Sequence, residues 1–300
     1  MDAVFAMLVL LVVFGAVFGY FFIKDVMAHK DEQPKGADGE VKPLWISGAI
    51  GGITNFFDTL GIGSFAPTTA AFKATKVVDD GVIPGTLNVA HTLPVVFMAL
   101  LYISAVEVDM LTLVALIAAS VVGAWLGAGI VAKFDRRRIQ LVIGVALFVT
   151  ASVMALRNAG IIASFGAGNE AIGLYGGLLI AGIISHFILG ALMTAGIGLY
   201  APSMAIIYLL GLSPAVAFPV MMGACAFLMP VAGIKFVKEG KYARKQSLAI
   251  AVLGIPGVWV AFQFFSGLFD LGLLIWLVIC VIFITSAMML HSYIKSGQKS

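Results

Sequence analysis

The sequence predicts an all-α polytopic membrane protein built from two inverted repeats, and three observations carry that prediction. Of its 300 residues, 61% are hydrophobic and only 11% are charged, whereas an ordinary soluble domain carries about 25% charge. A nine-residue pattern occurs twice: Gly61-Ile62-Gly63-Ser64-Phe65-Ala66-Pro67-Thr68-Thr69 and Gly196-Ile197-Gly198-Leu199-Tyr200-Ala201-Pro202-Ser203-Met204. Finally, all but one of the 18 lysines and arginines fall on one side of the topology these patterns imply. Each repeat reads as a broken or re-entrant helical hairpin followed by three transmembrane helices, and one extra transmembrane helix precedes them. The predicted divisions are 1–43 (N-terminal helix and loop), 44–157 (first repeat), 171–291 (second repeat) and 292–300 (tail).

In chain order, Ala3 to Ile23 is an uninterrupted apolar run. At about 20 residues it fits one crossing. It reads as a span rather than a cleaved leader, since no basic residue stands before it and no small-residue cleavage site follows. The stretch from Lys24 to Pro43 is a polar loop. The segment from Leu44 to Lys76 holds the first pattern. Its first piece, Leu44 to Leu60, barely reaches across a bilayer, and Phe65 to Thr75 is too short to cross alone at about 1.5 Å per residue. Three full-length apolar stretches follow, Val82 to Ala105, Met110 to Val131 and Ile139 to Leu156. After the loop from Arg157 to Glu170, Ala171 to Leu210 holds the second pattern. Pro214 to Ile234, Leu248 to Leu268 and Leu271 to Leu290 complete the second set of three.

Charge tests this plan. If each hairpin returns to its own side, the loops 24–43, 73–80, 133–138 and 235–245 and the tail share one side. The other side receives Arg157 with Glu107, Asp109, Glu170 and Asp270. The positive-inside rule then puts the N-terminus outside and the C-terminus in the cytoplasm. The first hairpin enters from the cytoplasm and the second from outside, which makes the repeats inverted, the geometry of alternating access.

The two patterns bring chemistry as well as shape. Gly-x-Gly followed by Pro interrupts a helix. The half-helix that starts after it presents backbone N–H groups and a positive dipole end, which attract an anion without a formal charge. Pro67 and Pro202 fall in the first turn, where a missing N–H costs little. The expected substrate-binding residues are Thr59, Gly61, Gly63, Ser64, Pro67, Thr68 and Asn88 with Thr194, Gly196, Gly198, Pro202 and Ser203, gripping one anion between the two hairpin tips. The alternative is that the hydroxyls only cap their helices. Ionisable groups at membrane depth are functional candidates by default. Asp58, three residues before Gly61, and His91, about 15 Å into the next span, are the candidates for carrying a coupling proton or Na⁺. His186 reads as structural. Thr54, Asn55 and Thr92 make the faces around them polar.

Other classes find little support. The net charge of +3 does not point to nucleic acid. Cys225 and Cys280 both lie in apolar segments, so neither a disulfide framework nor a thiolate metal site is expected. With no Walker motif, metal-ligand cluster or nucleophile elbow, the chain reads as neither an enzyme nor a cofactor or metal protein. The expected partners are a small anion, a coupling ion and the lipid bilayer, with the oligomeric state left open.

Gly-x-Gly with Pro four residues on, in each half of a small polytopic chain, resembles the TauE/SafE sulfite-exporter family, also called the TSUP permeases. Gly51 to Leu87, with Pro84-Gly85-Thr86 opening the next helix, resembles the family's first repeat, and Gly182 to Ala217, with Pro214, resembles the second. The resemblance covers nearly all the chain after residue 44. It implies a permease of the cytoplasmic membrane for small sulfur-containing anions such as sulfite or sulfonates. A cation-coupled permease for another metabolite and a non-transporting membrane protein remain the alternatives.

Overall fold

The structure, a computed structural model, describes residues 3–131, 136–159, 169–193, 198–266 and 271–297. Among these, regular structure is helical: α1 (Ala3–Ala28), α2 (Leu44–Thr59), α3 (Phe65–Thr75), α4 (Ile83–Ala105), α5 (Met110–Val131), α6 (Arg136–Asn158), α7 (Gly176–Met193), α8 (Tyr200–Leu209), α9 (Ala217–Glu239), α10 (Arg244–Ser266) and α11 (Leu271–Gly297). Two helical pieces flank each Gly-x-Gly break, and three long helices follow each pair. Seven helices among the described residues are long and apolar enough to cross a membrane: α1, α4, α6, α7, α9, α10 and α11. The protein is thus an all-α polytopic membrane protein. The 18 residues Gly176–Met193 qualify as a span by themselves, because no charged side chain interrupts that apolar run.

The chain divides into two compact units, Met1–Ser104 with Cys225–Ser266, and Ala105–Ala224 with Gly267–Ser300. Each draws helices from both repeats. In the first unit α10 lies tightly along α2. A Cβ on Gly51 would overlap the Ile250 backbone, and one on Gly257 would overlap the Gly52 carbonyl, so only glycine permits this approach. Close backbone contact through small residues is how helices associate in lipid, where burying apolar surface against a neighbour gains little. α1 packs Phe18 and Phe22 into a cluster with Val89, Val237, Tyr242 and Ala251. Its outer face exposes Phe5, Leu10, Val12, Val13, Val17 and Tyr20, as a bilayer-facing helix does.

The loops of this unit meet at one end. The Ala37 N–H donates to the Lys76 carbonyl at 2.9 Å, and the Gln246 amide donates to the carbonyls of Lys35 and Val77 at 3.1 and 3.2 Å. The chain therefore enters α2 and leaves α3 at the same end, beside the start of α10. At that end Asp25 accepts from Tyr242 Oη at 2.6 Å and from Arg244 Nε at 2.8 Å, while Arg244 also donates to Glu32 at 3.0 Å. The desolvated, carboxylate-bonded Tyr242 hydroxyl is held well above its ordinary pKa.

The second unit repeats the arrangement with different chemistry. α5 lies along α7, where a Cβ on Gly123 would overlap the Phe187 carbonyl and one on Gly190 the Ser120 carbonyl. α6 and α11 pack side by side, with Ser286 Oγ donating to the Gly144 carbonyl at 2.7 Å. The Ser213 N–H donates to the Ala171 carbonyl at 2.8 Å, and the Asp109 N–H to the Ile172 carbonyl at 2.9 Å, so the ends of the α7–α8 pair also meet at one end of their unit. Asp109 caps α5 through the Thr112 N–H and hydroxyl at 2.9 and 2.8 Å. Those bonds hold its carboxyl below the usual range.

Candidate functional site

The first break forms because α2 ends in a C-terminal glycine motif. The Gly61 N–H bonds the Asp58 carbonyl at 2.8 Å and the Ile62 N–H bonds the Phe57 carbonyl at 3.1 Å, the paired pattern that closes a helix on a left-handed residue. Gly61 has φ 93° and Gly63 has φ 88°, so two left-handed steps turn the chain within three residues. Such dihedrals are routine for glycine and costly for residues with a Cβ. α3 then begins at Ser64, with the Thr68 N–H returning to the Ser64 carbonyl at 3.0 Å. Pro67 has no N–H, so the first-turn donors with no intrahelical acceptor are those of Phe65 and Ala66.

The polar groups around this break are nearly all buried. Asn55, Thr59 and Thr68 are fully enclosed, as is His91, and Asp58 and Ser64 are 2% and 3% exposed. Three helices share one hydrogen-bond chain. Thr68 Oγ1 of α3 lies 3.1 Å from His91 Nε2 of α4, and His91 Nδ1 lies 3.0 Å from Asn55 Oδ1 of α2. Asn55 Nδ2 donates to the Gly51 carbonyl at 2.8 Å, which fixes the amide's orientation. Asn55 Oδ1 can then only accept, so His91 donates to it from Nδ1. Both ring nitrogens are hydrogen-bonded, and the Phe65 ring lies 5.9 Å from the imidazole. Tyr102 Oη donates to the Thr59 carbonyl at 2.8 Å and so supports the last turn of α2.

Asp58 closes the break on itself. Its carboxyl interacts with the hydroxyl and the backbone N–H of Ser64 across the two glycines. Its Oδ2 atom is buried and has no hydrogen-bond partner among the described residues.

In the second unit α8 starts in the same way, with the Ser203 N–H bonding the Leu199 carbonyl at 3.0 Å. His186 Nε2 lies 3.0 Å from Ser203 Oγ, and His186 Nδ1 donates to the Gly182 carbonyl at 3.0 Å. Pro202 and Ser203 are buried, and Gly198 is exposed. Thr194 and Gly196 lie outside the described residues.

The structure thus brings together Thr59, Gly61, Gly63, Ser64, Pro67 and Thr68 with Asp58 and His91. Asn88 is not drawn in, as its amide donates to the Pro84 carbonyl of its own helix at 3.0 Å. The idea that the hydroxyls only cap their helices does not describe Ser64, which makes no side-chain capping bond to α3, or Thr68 and Ser203, which bond His91 and His186. Tyr102 went unnoticed in the sequence, since one tyrosine in an apolar span carries no local signal. The same holds for the bonds from Arg157 to Asn169 and Tyr208, both at 3.1 Å. Among the described residues, no group of three or more His, Cys, Asp or Glu forms a metal-ligand set.

Helices that qualify as spans, a glycine break and a cluster of buried polar side chains beside it are the features of a membrane transporter of the broken-helix kind. Residues 1–154 match the family described as sulfite exporter TauE/SafE. The match covers just over half of the chain, and the chain belongs to that family. It runs through α1 and the loop after it, which the sequence resemblance had left outside, and it ends before the second pattern. No curated protein matches the chain, and no solved structure matches it.

Proposed function

We propose that this chain is a secondary transporter, not an enzyme, that moves a small anion, sulfite or an organosulfonate, across the cytoplasmic membrane by alternating access. The observation that carries the reading is the start of α3. Two left-handed glycines open a half-helix whose Phe65 and Ala66 N–H groups have no acceptor within the helix, in a family of sulfite exporters. Backbone donors with a helix dipole behind them suit a small oxyanion. The hydroxyls of Thr68 and Ser203 hold the starts of α3 and α8 against His91 and His186, and that of Ser64 lies beside the first of these N-termini. Asn88, Thr194 and the glycines Gly196 and Gly198 of the second pattern belong to the proposed path. The proposed orientation has the N-terminus outside and the C-terminus in the cytoplasm, which agrees with the meeting of the basic segments 24–43, 73–80 and 235–245 at one end of the first unit.

The test is anion-dependent thermal stabilisation of the purified protein. Sulfite, sulfate, thiosulfate, sulfoacetate and taurine are each compared with chloride. A ligand that binds only the folded state raises its apparent stability, by about 2.7 kcal/mol at a concentration of 100 times Kd. Stabilisation by one sulfur anion that weakens in Ser64→Ala supports the reading. Stabilisation by Na⁺ alone, or by a neutral metabolite, rejects it in favour of a cation-coupled permease.

A further inference from the structure

We propose that Asp58 is the proton switch of the anion site: the site takes its anion only while the Asp58 carboxyl is protonated, with Oδ2–H donating to an oxygen of the anion. This deepens the transport reading above and rests on it.

The argument starts from the two oxygens of one side chain. The carboxyl interacts with the hydroxyl and N–H of Ser64 across the break. Oδ2 is buried and meets no donor among the described residues. An ionised carboxylate can only accept, whereas the protonated acid also donates. The buried oxygen that meets no donor, Oδ2, is the one on which a proton belongs. There it becomes a donor without a protein acceptor, beside the α3 N-terminus. The ligand that completes such a group is one that accepts hydrogen bonds.

Electrostatics point the same way. Asp58 and the proposed anion would share the positive end of one helix. An ionised Asp58 occupies that end with its own negative charge and repels a second anion a few ångströms away. At about 4 Å two like charges cost about 4 kcal/mol at an effective dielectric constant of 20. The protonated acid removes the repulsion and adds a donor, so proton and anion bind together.

Other titratable groups near α2 offer no substitute. On α4, His91 already has both ring nitrogens bonded to protein groups, Thr68 and Asn55, and Tyr102 spends its hydroxyl on the Thr59 carbonyl. The charged residue of α3 is Lys73, in its last turn. Those of α10 are Arg244 and Lys245 at its start, with Arg244 tied to Asp25 and Glu32. Asp58 is the group at the break whose proton is not already engaged.

The experiment uses methanesulfonate, whose charge does not change between pH 5 and 9, so that any pH dependence belongs to the protein. Sulfite, which titrates near neutrality, would confuse the two. Affinity is measured on the purified full chain from thermal stabilisation across that range. Proton uptake on binding is measured in weakly buffered solution. For one linked proton, affinity should fall about tenfold per pH unit above the titration of Asp58, with uptake approaching one proton per anion there. Asp58→Asn is the isostere of the protonated acid and keeps a donor. It should bind at every pH with the slope gone.

A wild-type affinity that is flat with pH, binding without proton uptake, or an Asp58→Asn variant that keeps the wild-type slope overturns the proposal and leaves the anion-transport reading standing. Proton uptake is measured on the wild type, so the test holds even if the variant does not fold. Failure of wild-type protein to bind methanesulfonate and every sulfur anion above at any pH removes the transport reading and this proposal with it.

Discussion

The two broken hairpins share five of nine residues in their patterns and reach the same hydrogen bond by different routes. In each, the hydroxyl that follows the proline bonds the Nε2 of a buried histidine: Thr68 with His91, and Ser203 with His186. In the first unit the histidine comes from α4, after the hairpin, and hands the interaction on to Asn55 of α2. In the second it comes from α7, before the break, and ends on the carbonyl of Gly182 in its own helix. One network joins three helices and the other joins two. The breaks differ in charge as well. Asp58 stands three residues before Gly61, and Met193 stands three before Gly196. A repeated sequence fixed where each helix breaks, while the two sites came to differ in what they can titrate. The first has a carboxyl, and the second has an apolar side chain at the matching offset.

The largest expected effect separates the two networks. His91→Ala leaves the Asn55 carbonyl oxygen and the Thr68 hydroxyl without partners inside a closed site. Unsatisfied buried groups cost about 1–3 kcal/mol each, so a loss of roughly 3 kcal/mol is expected, before any cavity cost. His186→Ala strands only Ser203 and should cost about half as much. Thermal unfolding of both variants in one detergent reads the difference. Equal losses would mean that the three-helix connection adds nothing to the first unit.

The next comparison sets Gly63 against Gly198, the third residue of each pattern. A Cβ finds open space at both, so sterics with neighbours do not enter. Gly63 is left-handed at φ 88°, and Gly198 lies outside that φ range. Gly63→Ala should therefore cost about 1–2 kcal/mol of backbone strain, while Gly198→Ala should be neutral or slightly stabilising. A stable Gly63→Ala variant would show that the first turn can relax.

The smallest effect lies at the far ends of the short helices. Lys76 is left-handed at φ 55° after α3, where glycine stands after α8, at Gly211 with φ 87°. Lys76→Gly removes the Cβ penalty and should raise stability by up to about 1 kcal/mol. A fall in melting temperature would instead show that the lysine side chain contributes more than its backbone costs.

Much of this molecule was legible in the sequence. Apolar runs of spanning length, with Gly and Pro as interruptions, determined the helices: α3 runs over Phe65–Thr75, the piece read as too short to cross. The repeated pattern also determined the breaks, because the left-handed turn at Gly61 and Gly63 and the missing N–H groups of Pro67 and Pro202 are local properties of Gly and Pro. Glycine counts could not say which helix lies on which. That α10 rests on α2 and α5 on α7 depends on glycine faces matching across distant segments. The partners of the hydroxyls were equally hidden, since a hydroxyl next to a helix start reads as a cap until the fold supplies a histidine at 3 Å. The sequence by itself determined where the chain must bend and that an acid stands beside the first bend. Only the tertiary structure decided that Oδ2 of that acid is buried with no hydrogen-bond partner among the described residues, because hydrogen bonding in a buried site is settled by the geometry of several helices at once.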